Sequence, residues 1–338
     1  MGWKSLALEA ARRAGALHAV GAWYGRRRLT VLAYHRIGDA DDPDLLGFAG
    51  NVSASPRGFA RQLEHVAGNF EVIGMPDLLA WIDGEADLPD RAAMITFDDG
   101  YLDNLEVAAP LLAEEGFPAT LFLTTGPTDG GPSLYWDLIA WVFEHAERTE
   151  GDLPILGSRE WGGFDTLRRT VHEFVYATKW LPLPRRSALV DRLRDSVASG
   201  APERIPGLYL DWDGVRALRG WSIGAHTVEH PVLTSVAPPE AARQIAESAG
   251  RITAETGRAV RSLAYPNGLE GDYDDATMAA ARSAGIDVAF TLSPGPSRLG
   301  EVEADPMAIR RCYIGFNNSP AVFSSSVMGV ARMLERVR

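Results

Sequence analysis

The fold is decided by one stretch of the sequence, Ala93-Met94-Ile95-Thr96-Phe97-Asp98-Asp99-Gly100. Its first five residues suit a buried strand, two adjacent carboxylates follow, and the glycine lets the backbone turn. Residues 105–116 then have the pattern of an amphipathic helix, and residues 119–123 form a second apolar run. This pattern predicts a strand–helix–strand unit with both aspartates at the end of its first strand. Such a pair is costly to bury without a metal ion or proton chemistry, although Asp-Gly is also common in ordinary turns.

A second motif lies far from the first, at Gly224-Ala225-His226-Thr227-Val228-Glu229-His230-Pro231. Its two histidines are four residues apart, so on a helical turn or in a tight loop their rings can converge on one point. They follow a short strand-like run, residues 221–225, and ligands gather at the carboxyl ends of strands in parallel α/β folds. A His pair with a distant carboxylate is typical of a three-ligand metal site with open positions.

Together, these two motifs resemble those of the polysaccharide deacetylases of carbohydrate esterase family 4. A third and weaker match to the family is Leu263-Ala264-Tyr265-Pro266-Asn267-Gly268, which resembles its proline–glycine loop. The resemblance extends over residues 29–315. It implies an α/β fold, a distorted (β/α) barrel with about seven strands.

The order of the predicted elements agrees with such a barrel. Strands and helices alternate from residue 30 to residue 125 and again after residue 213, which favours a parallel sheet that is closed or nearly closed. Residues 126–213 break this alternation and are expected to form a helical insertion. We interpret the insertion as a lid or a binding wall, with Trp136 facing a sugar. The alternative is that it packs on the barrel and touches no substrate.

The chain therefore divides into five predicted segments. They are an N-terminal amphipathic helix (1–28), a first barrel part (29–125), the insertion (126–213), a second barrel part (214–320) and a C-terminal helix (321–338).

Composition narrows the class of partner and the compartment. A net charge of −12 argues against a nucleic-acid partner. The single cysteine, Cys312, fits a reducing compartment and is expected to be a buried thiol. No stretch is apolar for long enough to span a bilayer, and charged residues interrupt any signal-like core at the start of the chain. We therefore expect a cytoplasmic protein whose N-terminal helix packs on the barrel or, alternatively, makes peripheral contact with the inner membrane face. The oligomeric state is left open.

The chemistry of the residues assigns a metal to Asp99, His226 and His230. This ligand set suits zinc, while cobalt, nickel or iron also accept it. A metal ion there would lower the pKa of bound water and polarise the substrate carbonyl. Asp98 is then the candidate general base, and the resemblance assigns the same roles to the matching pair.

The resemblance also implies further roles, and at these positions this sequence differs from the usual family pattern. A backbone N–H after the family's motif proline helps to stabilise the oxyanion, which maps to Asn267. Family members carry an aromatic residue at that position and an arginine two residues before the proline, where this chain has Ala264. A charge partner for Asp98 must therefore come from elsewhere, and the options are Arg298, Arg310 and Arg311.

The source of the general acid is the second departure from the family pattern. The family takes it from a Leu-x-His near the C-terminus, yet no histidine follows His230. His35 ends the first predicted strand, which resembles the circularly permuted arrangement of poly-N-acetylglucosamine deacetylases. In a barrel the first and last strands are neighbours, so His35 is the candidate acid. The alternative is that it only caps its strand.

Three functions remain open at this point. The first is a metal-dependent deacetylase that hydrolyses the N-acetyl group of an N-acetylated sugar in a glycan or a glycan precursor. The second is a metal-dependent amidohydrolase acting on another small C–N bond. The third is a carbohydrate-binding pseudoenzyme, suggested by the departures at Ala264, Asn267 and the missing C-terminal histidine. Retention of both aspartates and both histidines argues against the third.

Overall fold

The computed structural model describes residues 9, 10, 15, 27–330 and 332. The expected amphipathic helix over residues 1–28 lies almost wholly outside the described residues. Of the expected C-terminal helix, the structure shows Pro320–Val327, and most of the chain beyond residue 330 lies outside the described part. Among the described residues, no helix combines the length and the apolar character needed to cross a membrane.

The strands are numbered in chain order. They are β1 (Arg28–Tyr34), β2 (Arg36–Ile37), β3 (Val52–Ala54), β4 (Glu71–Val72), β5 (Arg91–Asp99), β6 (Ala119–Leu123), β7 (Glu150–Leu153), β8 (Gly157–Glu160), β9 (Trp221–Ala225), β10 (Ser262–Ala264), β11 (Val288–Phe290), β12 (Ser297–Arg298) and β13 (Cys312–Tyr313).

The α-helices are numbered in the same way. They are α1 (Pro56–Ala67), α2 (Met75–Ile82), α3 (Ala109–Glu115), α4 (Thr125–Thr128), α5 (Tyr135–Glu144), α6 (Phe164–Thr178), α7 (Leu183–Val197), α8 (Trp212–Ala217), α9 (Pro238–Thr256), α10 (Asp275–Ser283), α11 (Leu299–Ala304) and α12 (Pro320–Val327).

The strand that carries the two aspartates, β5, lies inside the central sheet. β1 and β6 pair with it in parallel, β9 pairs with β6, β10 with β9 and β11 with β10. On the other side, β13 pairs in parallel with β1. Ile309, just before β13, forms a parallel bridge to Phe290 of β11, so residues 309–313 contact both edges of the sheet. The expected distorted (β/α) barrel of about seven strands is confirmed.

The sequence of the barrel strands explains their position. All seven residues of β1 are buried, and so are all residues of β5 after Arg91. Strands that are buried on both faces have continuous apolar runs rather than alternating ones. The helices cover the outer face of the sheet, and their apolar sides join the strands in one large core. Cys312 is a buried free thiol within that core, as expected.

The insertion has a core of its own. The apolar faces of α5, α6 and α7 pack together in a separate cluster that also includes Tyr101, two residues after the aspartate pair. The helices agree with the expected positions, but the sequence did not predict the antiparallel hairpin of β7 and β8. The boundaries at residues 125/126 and 213/214, and the interpretation as a lid, stay predictions.

The expected helix over residues 105–116 is divided in the structure. Residues Asn104–Ala108 form a π-helical turn, and α3 follows it. The turn places the buried side chain of Asn104 where its Nδ2 donates a hydrogen bond to the carbonyl of His35 at 2.7 Å. Single π-turns occur often at functional sites, and this one connects the helix after the aspartates to the end of β1.

Close packing of β9 predicts an effect on stability. A Cβ atom on Gly224 would lie 2.6 Å from both the Phe122 ring and the Ser262 Oγ atom. We therefore expect Gly224→Ala to lower the free energy of unfolding by about 1–3 kcal/mol through overpacking. Gly250→Ala is the matched control: a Cβ atom there meets nothing, and the residue lies in α9, so a gain of up to about 1 kcal/mol is expected. Chemical denaturation measures both, and equal stabilities would contradict this packing.

Candidate active site

Three predicted ligands from two separated motifs come together at one end of the barrel. Asp99 is the last residue of β5, and His226 and His230 lie in the loop after β9. The Nε2 atoms of both histidines are 3.7 Å from Oδ1 of Asp99, and all three side chains are buried. Donor atoms about 2.1 Å from a shared tetrahedral ion lie about 3.4 Å apart. The observed spacing is within a few tenths of an ångström of that arrangement.

The two histidines converge through a tight loop rather than a helical turn. Thr227 and His230 have φ values of 68° and 52°, in the left-handed region that non-glycine residues rarely adopt. The loop is held by Gln244 of α9, whose Oε1 atom accepts hydrogen bonds from the amides of Val228 and Glu229 at 3.0 and 2.9 Å. Left-handed backbone that is held this firmly is typical of functional sites. Asp99 shares this conformation, with a φ of 75°.

The protonation of His226 is set by its surroundings. Its Nδ1 atom lies 2.7 Å from the carbonyl oxygen of Ala264, which can only accept a hydrogen bond. The ring therefore carries its proton on Nδ1 and presents the Nε2 lone pair to Asp99. A second partner on the remote nitrogen is the usual way in which proteins orient a histidine ligand.

The electrostatic environment of Asp99, His226 and His230 suits a bound cation. No described residue donates a hydrogen bond to either carboxylate oxygen of Asp99, although both oxygens are buried. Burial, and then the neighbouring Asp98, raise the pKa of Asp99 well above its usual value. Burial also lowers the pKa values of His226 and His230, which leaves both rings neutral. Two neutral imidazoles and an uncompensated carboxylate match what a divalent ion requires of its ligands.

Asp98 faces a different partner. Arg311 donates to both of its carboxylate oxygens, from Nη1 at 2.7 Å and from Nη2 at 2.8 Å. Arg311 is fully buried, and two further donors bond to the carbonyl of Thr291 and the hydroxyl of Thr96. Burial, the largest single influence, raises the pKa of Asp98, but the Arg311 guanidinium, together with His226 and His35, more than offsets burial and holds that pKa below its usual value. Asp98 is therefore ionised at neutral pH.

The structure thus selects one of three possible arginines. Arg310 instead donates to the carbonyl of Pro294 at 2.7 Å, and the Arg298 side chain is exposed. Arg311 takes the charge-partner role because alternate residues along the segment before β13 face opposite sides of the barrel wall. The sequence could not distinguish residue 310 from residue 311 without knowing which side faces inward.

His35 lies beside this pair, immediately after β1. Its amide donates to the hydroxyl of Ser53 at 2.9 Å, and its ring packs edge-on against Tyr313 of β13. The expectation that the first and last strands of the barrel are neighbours is confirmed, because β1 pairs with β13. Burial lowers the pKa of His35 to about 4, while Asp98 acts in the opposite direction. The imidazole is neutral at pH 7.

One cavity of about 390 Å³ contains every predicted site residue. Asn267 is among them and has a φ of 60°, which is also left-handed. The barrel contributes His35, Asp98, Asp99, His226, His230, Asn267, Leu269, Leu292 and Tyr313 to its walls. The loop before β3 and the insertion contribute Phe48, Asn51, Tyr135, Trp136, His172, Val175, Tyr176 and Lys179. The insertion is therefore part of the cavity wall and not a remote appendage.

Trp136 does more than line the cavity. Its ring packs edge-on against His230, with ring centroids 4.8 Å apart, and its Nε1 atom donates to the Tyr101 hydroxyl at 2.8 Å. The Tyr101 hydroxyl donates in turn to Asp137 at 2.9 Å. Asp137 is fully buried and also accepts hydrogen bonds from the amide of Phe48, at 2.7 Å, and from the Tyr209 hydroxyl. Only 6% of Trp136 is exposed, so the ring supports a candidate ligand more than it offers surface to a sugar.

A second residue of the insertion, Arg186, contacts the backbone at the candidate ligand His230. Arg186 of α7 is buried, and its guanidinium carbon lies 4.2 Å from the ring centroid of Tyr135. Its Nη2 atom lies 3.5 Å from the carbonyl oxygens of Glu229 and His230. Arg186, Tyr101 and Asp137 could not be identified from the sequence, because their partners are distant in the chain.

The fold and this cavity define a barrel hydrolase in which two adjacent carboxylates have different partners. The family model described as polysaccharide deacetylase matches residues 85–141 and 197–289, which include Asp98, Asp99, His226, His230 and Asn267. The two matched segments make up 150 of the 338 residues and include both motifs by which this chain resembles polysaccharide deacetylases. His35 and Arg311 lie outside the matched residues.

Solved structures show the same fold. A deacetylase from Streptococcus pyogenes, PplD, solved in complex with acetate, aligns with a TM-score of 0.57 and 16% identity over 89% of this chain and 99% of that one. IcaB from Ammonifex degensii gives 0.55 and 18% over 89% and 97%. The BpsB deacetylase domain from Bordetella bronchiseptica gives 0.53 and 17% over 85% and 96%. No curated protein matches the sequence.

The ion pair beneath the cavity predicts a stability effect. Arg311→Met leaves the buried Asp98 carboxylate without its partner, so we expect a loss of about 3–5 kcal/mol in the free energy of unfolding. The double variant Asp98→Asn/Arg311→Met should recover part of that loss, because the unpaired charge is gone. Arg310→Met removes the same charge from a partly exposed neighbour and should cost less than about 1 kcal/mol. Denaturant titration compares the variants, and equal losses for Arg310→Met and Arg311→Met would contradict the pairing.

Proposed function

We propose that this protein is a metal-dependent deacetylase that hydrolyses the N-acetyl group of an N-acetylated sugar within a glycan. The observation that carries the proposal is the convergence of Asp99, His226 and His230 in one cavity with Asp98, whose carboxylate is paired with the buried Arg311. One carboxylate has no donor among the described residues, while its neighbour is held ionised by a guanidinium. The match to the polysaccharide deacetylase model supports the same reaction class.

Zinc is the metal that this ligand set favours, because two imidazoles and one carboxylate leave positions open for water and substrate. A divalent ion held there would lower the pKa of bound water and polarise the acetyl oxygen. The chain's own part begins with Asp98. Because Arg311 keeps its carboxylate ionised and fixed, Asp98 is placed to accept the proton of the attacking water.

The developing oxyanion needs a donor from the protein as well. We assign this role to the backbone N–H of Asn267, which lines the cavity in a left-handed turn. A backbone donor does not depend on side-chain identity, so an asparagine can stand where relatives carry an aromatic residue. The departure at this position therefore does not count against catalysis.

His35 is assigned the proton transfer to the departing amine. Its ring is neutral at pH 7, since burial lowers its pKa to about 4. It must therefore gain a proton before it can give one to the leaving nitrogen, and the proton that Asp98 takes from the attacking water balances that transfer. The nearby Asp98 carboxylate raises the pKa of His35 and so favours that transient protonation.

Two alternatives remain weaker. An amidohydrolase acting on a different small C–N bond would use the same residues, and a panel of amide substrates distinguishes it. A carbohydrate-binding pseudoenzyme loses support because Arg311 supplies the missing partner of Asp98 and His35 lies in the cavity.

The direct test of the proposed function is to measure acetate release from N-acetylglucosamine oligomers with zinc, and again after chelation. Release that chelation abolishes and zinc restores supports the proposal, whereas no release from any N-acetylated sugar contradicts it.

Substitutions separate metal binding from proton transfer. Asp98→Asn should retain bound metal and lose nearly all turnover, because the amide cannot accept the proton of water. His230→Ala should lose both, because it removes a ligand. Metal content by mass spectrometry, measured beside acetate release, decides between the two roles. An active Asp98→Asn variant would contradict the assigned base.

A third substitution tests the proton donor. His35→Gln should keep its metal and lower kcat by about 10²–10⁴-fold, which is the usual contribution of a positioned acid or base. His145→Gln, which changes an exposed histidine of the insertion, is the control and should leave kcat unchanged. Normal turnover by His35→Gln would leave His35 with only a strand-capping role.

The pH dependence of stability offers a separate check on His35. Its pKa in the folded protein is about 4, below the usual 6.5, so the unfolded chain binds more protons between these values. Falling pH therefore destabilises the parent protein across this window, by at most about 3 kcal/mol from this residue. His35→Gln lacks the effect. The stability difference between parent and variant, followed by denaturation from pH 7 to pH 4, should shift in favour of the variant, and a constant difference would refute the lowered pKa.

A further inference from the structure

The two histidines of the candidate metal site are supported by different parts of the chain. His226 is oriented by the barrel, because its Nδ1 atom donates to the carbonyl of Ala264 at the end of β10. The Nδ1 atom of His230 is buried and has no hydrogen-bond partner among the described residues. Its ring packs instead against Trp136, and its carbonyl oxygen lies 3.5 Å from Nη2 of Arg186. Both of these residues belong to the insertion, so the insertion supports one ligand and the barrel supports the other.

Arg186 has an unusual environment for a charged side chain. Only 5% of it is exposed, yet it forms no ion pair with any described residue. Its guanidinium carbon lies 4.2 Å from the ring centroid of Tyr135, and its Nη2 atom lies 3.5 Å from the carbonyl oxygens of Glu229 and His230. A buried charge without an opposite charge destabilises a fold unless its other contacts compensate. The compensating contacts include two carbonyl dipoles of the loop that carries a candidate ligand, which indicates a role in that loop.

The loop is held at both kinds of backbone group. Gln244 accepts hydrogen bonds from the amides of Val228 and Glu229, at 3.0 and 2.9 Å. Arg186 lies at the carbonyl oxygens of Glu229 and His230. His230 has a φ of 52°, and such a left-handed conformation persists only where the surrounding contacts hold it. Arg186 is one of these contacts.

Arg186 is separated from the groups that would react. It lines a cavity of about 370 Å³ together with Glu229 and Tyr135. It is not among the residues that line the catalytic cavity, whereas Tyr135 lines both. Any influence of Arg186 on the metal site must therefore pass through the loop backbone or through Tyr135.

We propose that Arg186 is a positioning residue that holds His230 in the orientation required for metal binding, through the carbonyl oxygens of Glu229 and His230. This inference rests on the metal site of the proposed function. It gives the insertion a second role, because the insertion then sets the metal affinity of the site as well as enclosing the cavity.

The first experiment measures the Kd of zinc by competition with a chelating dye. Arg186→Met has a similar length without the charge and should raise that Kd by about 10–100-fold, the usual effect of removing a group that orients a metal ligand. Arg186→Lys keeps the charge on a differently shaped head group and should give an intermediate Kd. Arg185→Met, which changes the exposed neighbour on α7, is the matched control and should leave the Kd unchanged.

The second experiment uses the metal-free protein. Arg186→Met removes a buried charge that has no ion-pair partner, so the midpoint of chemical denaturation should not fall. Hydrogen exchange at the amides of Val228, Glu229 and His230, followed by NMR, should become faster in Arg186→Met than in Arg185→Met, while exchange within β9 stays the same.

These measurements separate the positioning role from the proposed function. Faster exchange confined to the loop supports the role of Arg186 even if the parent protein binds no zinc, an outcome that would contradict only the proposed function. An unchanged zinc Kd in Arg186→Met, with or without a lower denaturation midpoint, would overturn the positioning role. Equal effects of Arg185→Met and Arg186→Met on both the Kd and the exchange rates would overturn it as well.

Discussion

The site depends on two adjacent buried carboxylates that have different electrostatic partners. Asp98 and Asp99 end the same strand, and each is costly to bury as an anion. Arg311 solves the problem for Asp98 with two charge-assisted hydrogen bonds from a fully buried guanidinium. Asp99 receives no hydrogen bond from the described residues and faces two neutral imidazoles instead. The same dipeptide thus presents one carboxylate that is paired with a guanidinium and one that has no hydrogen-bond donor among the described residues.

Barrel closure is what makes this separation possible. Arg311 is 213 residues from Asp98 in the chain and reaches it because β13 pairs with β1 and β1 pairs with β5. His35 reaches the same cavity from the end of β1. The insertion then closes the outer side, where Trp136 packs against His230 and Arg186 lies at the carbonyls behind it. The catalytic cavity is therefore built by parts of the chain that share no local sequence pattern.

Much of the fold was predictable because its signals are local. The buried strand before Asp98, the alternation of strands and helices, and the spacing of His226 and His230 all arise within short windows of sequence. The choice among three arginines was not predictable, since it depends on which side of a strand-like segment faces inward. The hairpin of β7 and β8 was missed because its strands are short, polar and half-exposed. The Trp136–Tyr101–Asp137 network was missed because its members are spread over 36 residues and meet only after the insertion folds.

Binding of one divalent ion by Asp99, His226 and His230, beside an ionised Asp98, can be seen by anomalous diffraction at the zinc absorption edge from crystals grown with zinc. We expect a single strong anomalous peak in the cavity, about 2.0–2.2 Å from the Nε2 atoms of both histidines and from a carboxylate oxygen of Asp99. We also expect Asp98 to remain bonded to Arg311 and not to bind the ion. A peak elsewhere, no peak, or an ion ligated by Asp98 in place of Asp99 would contradict it.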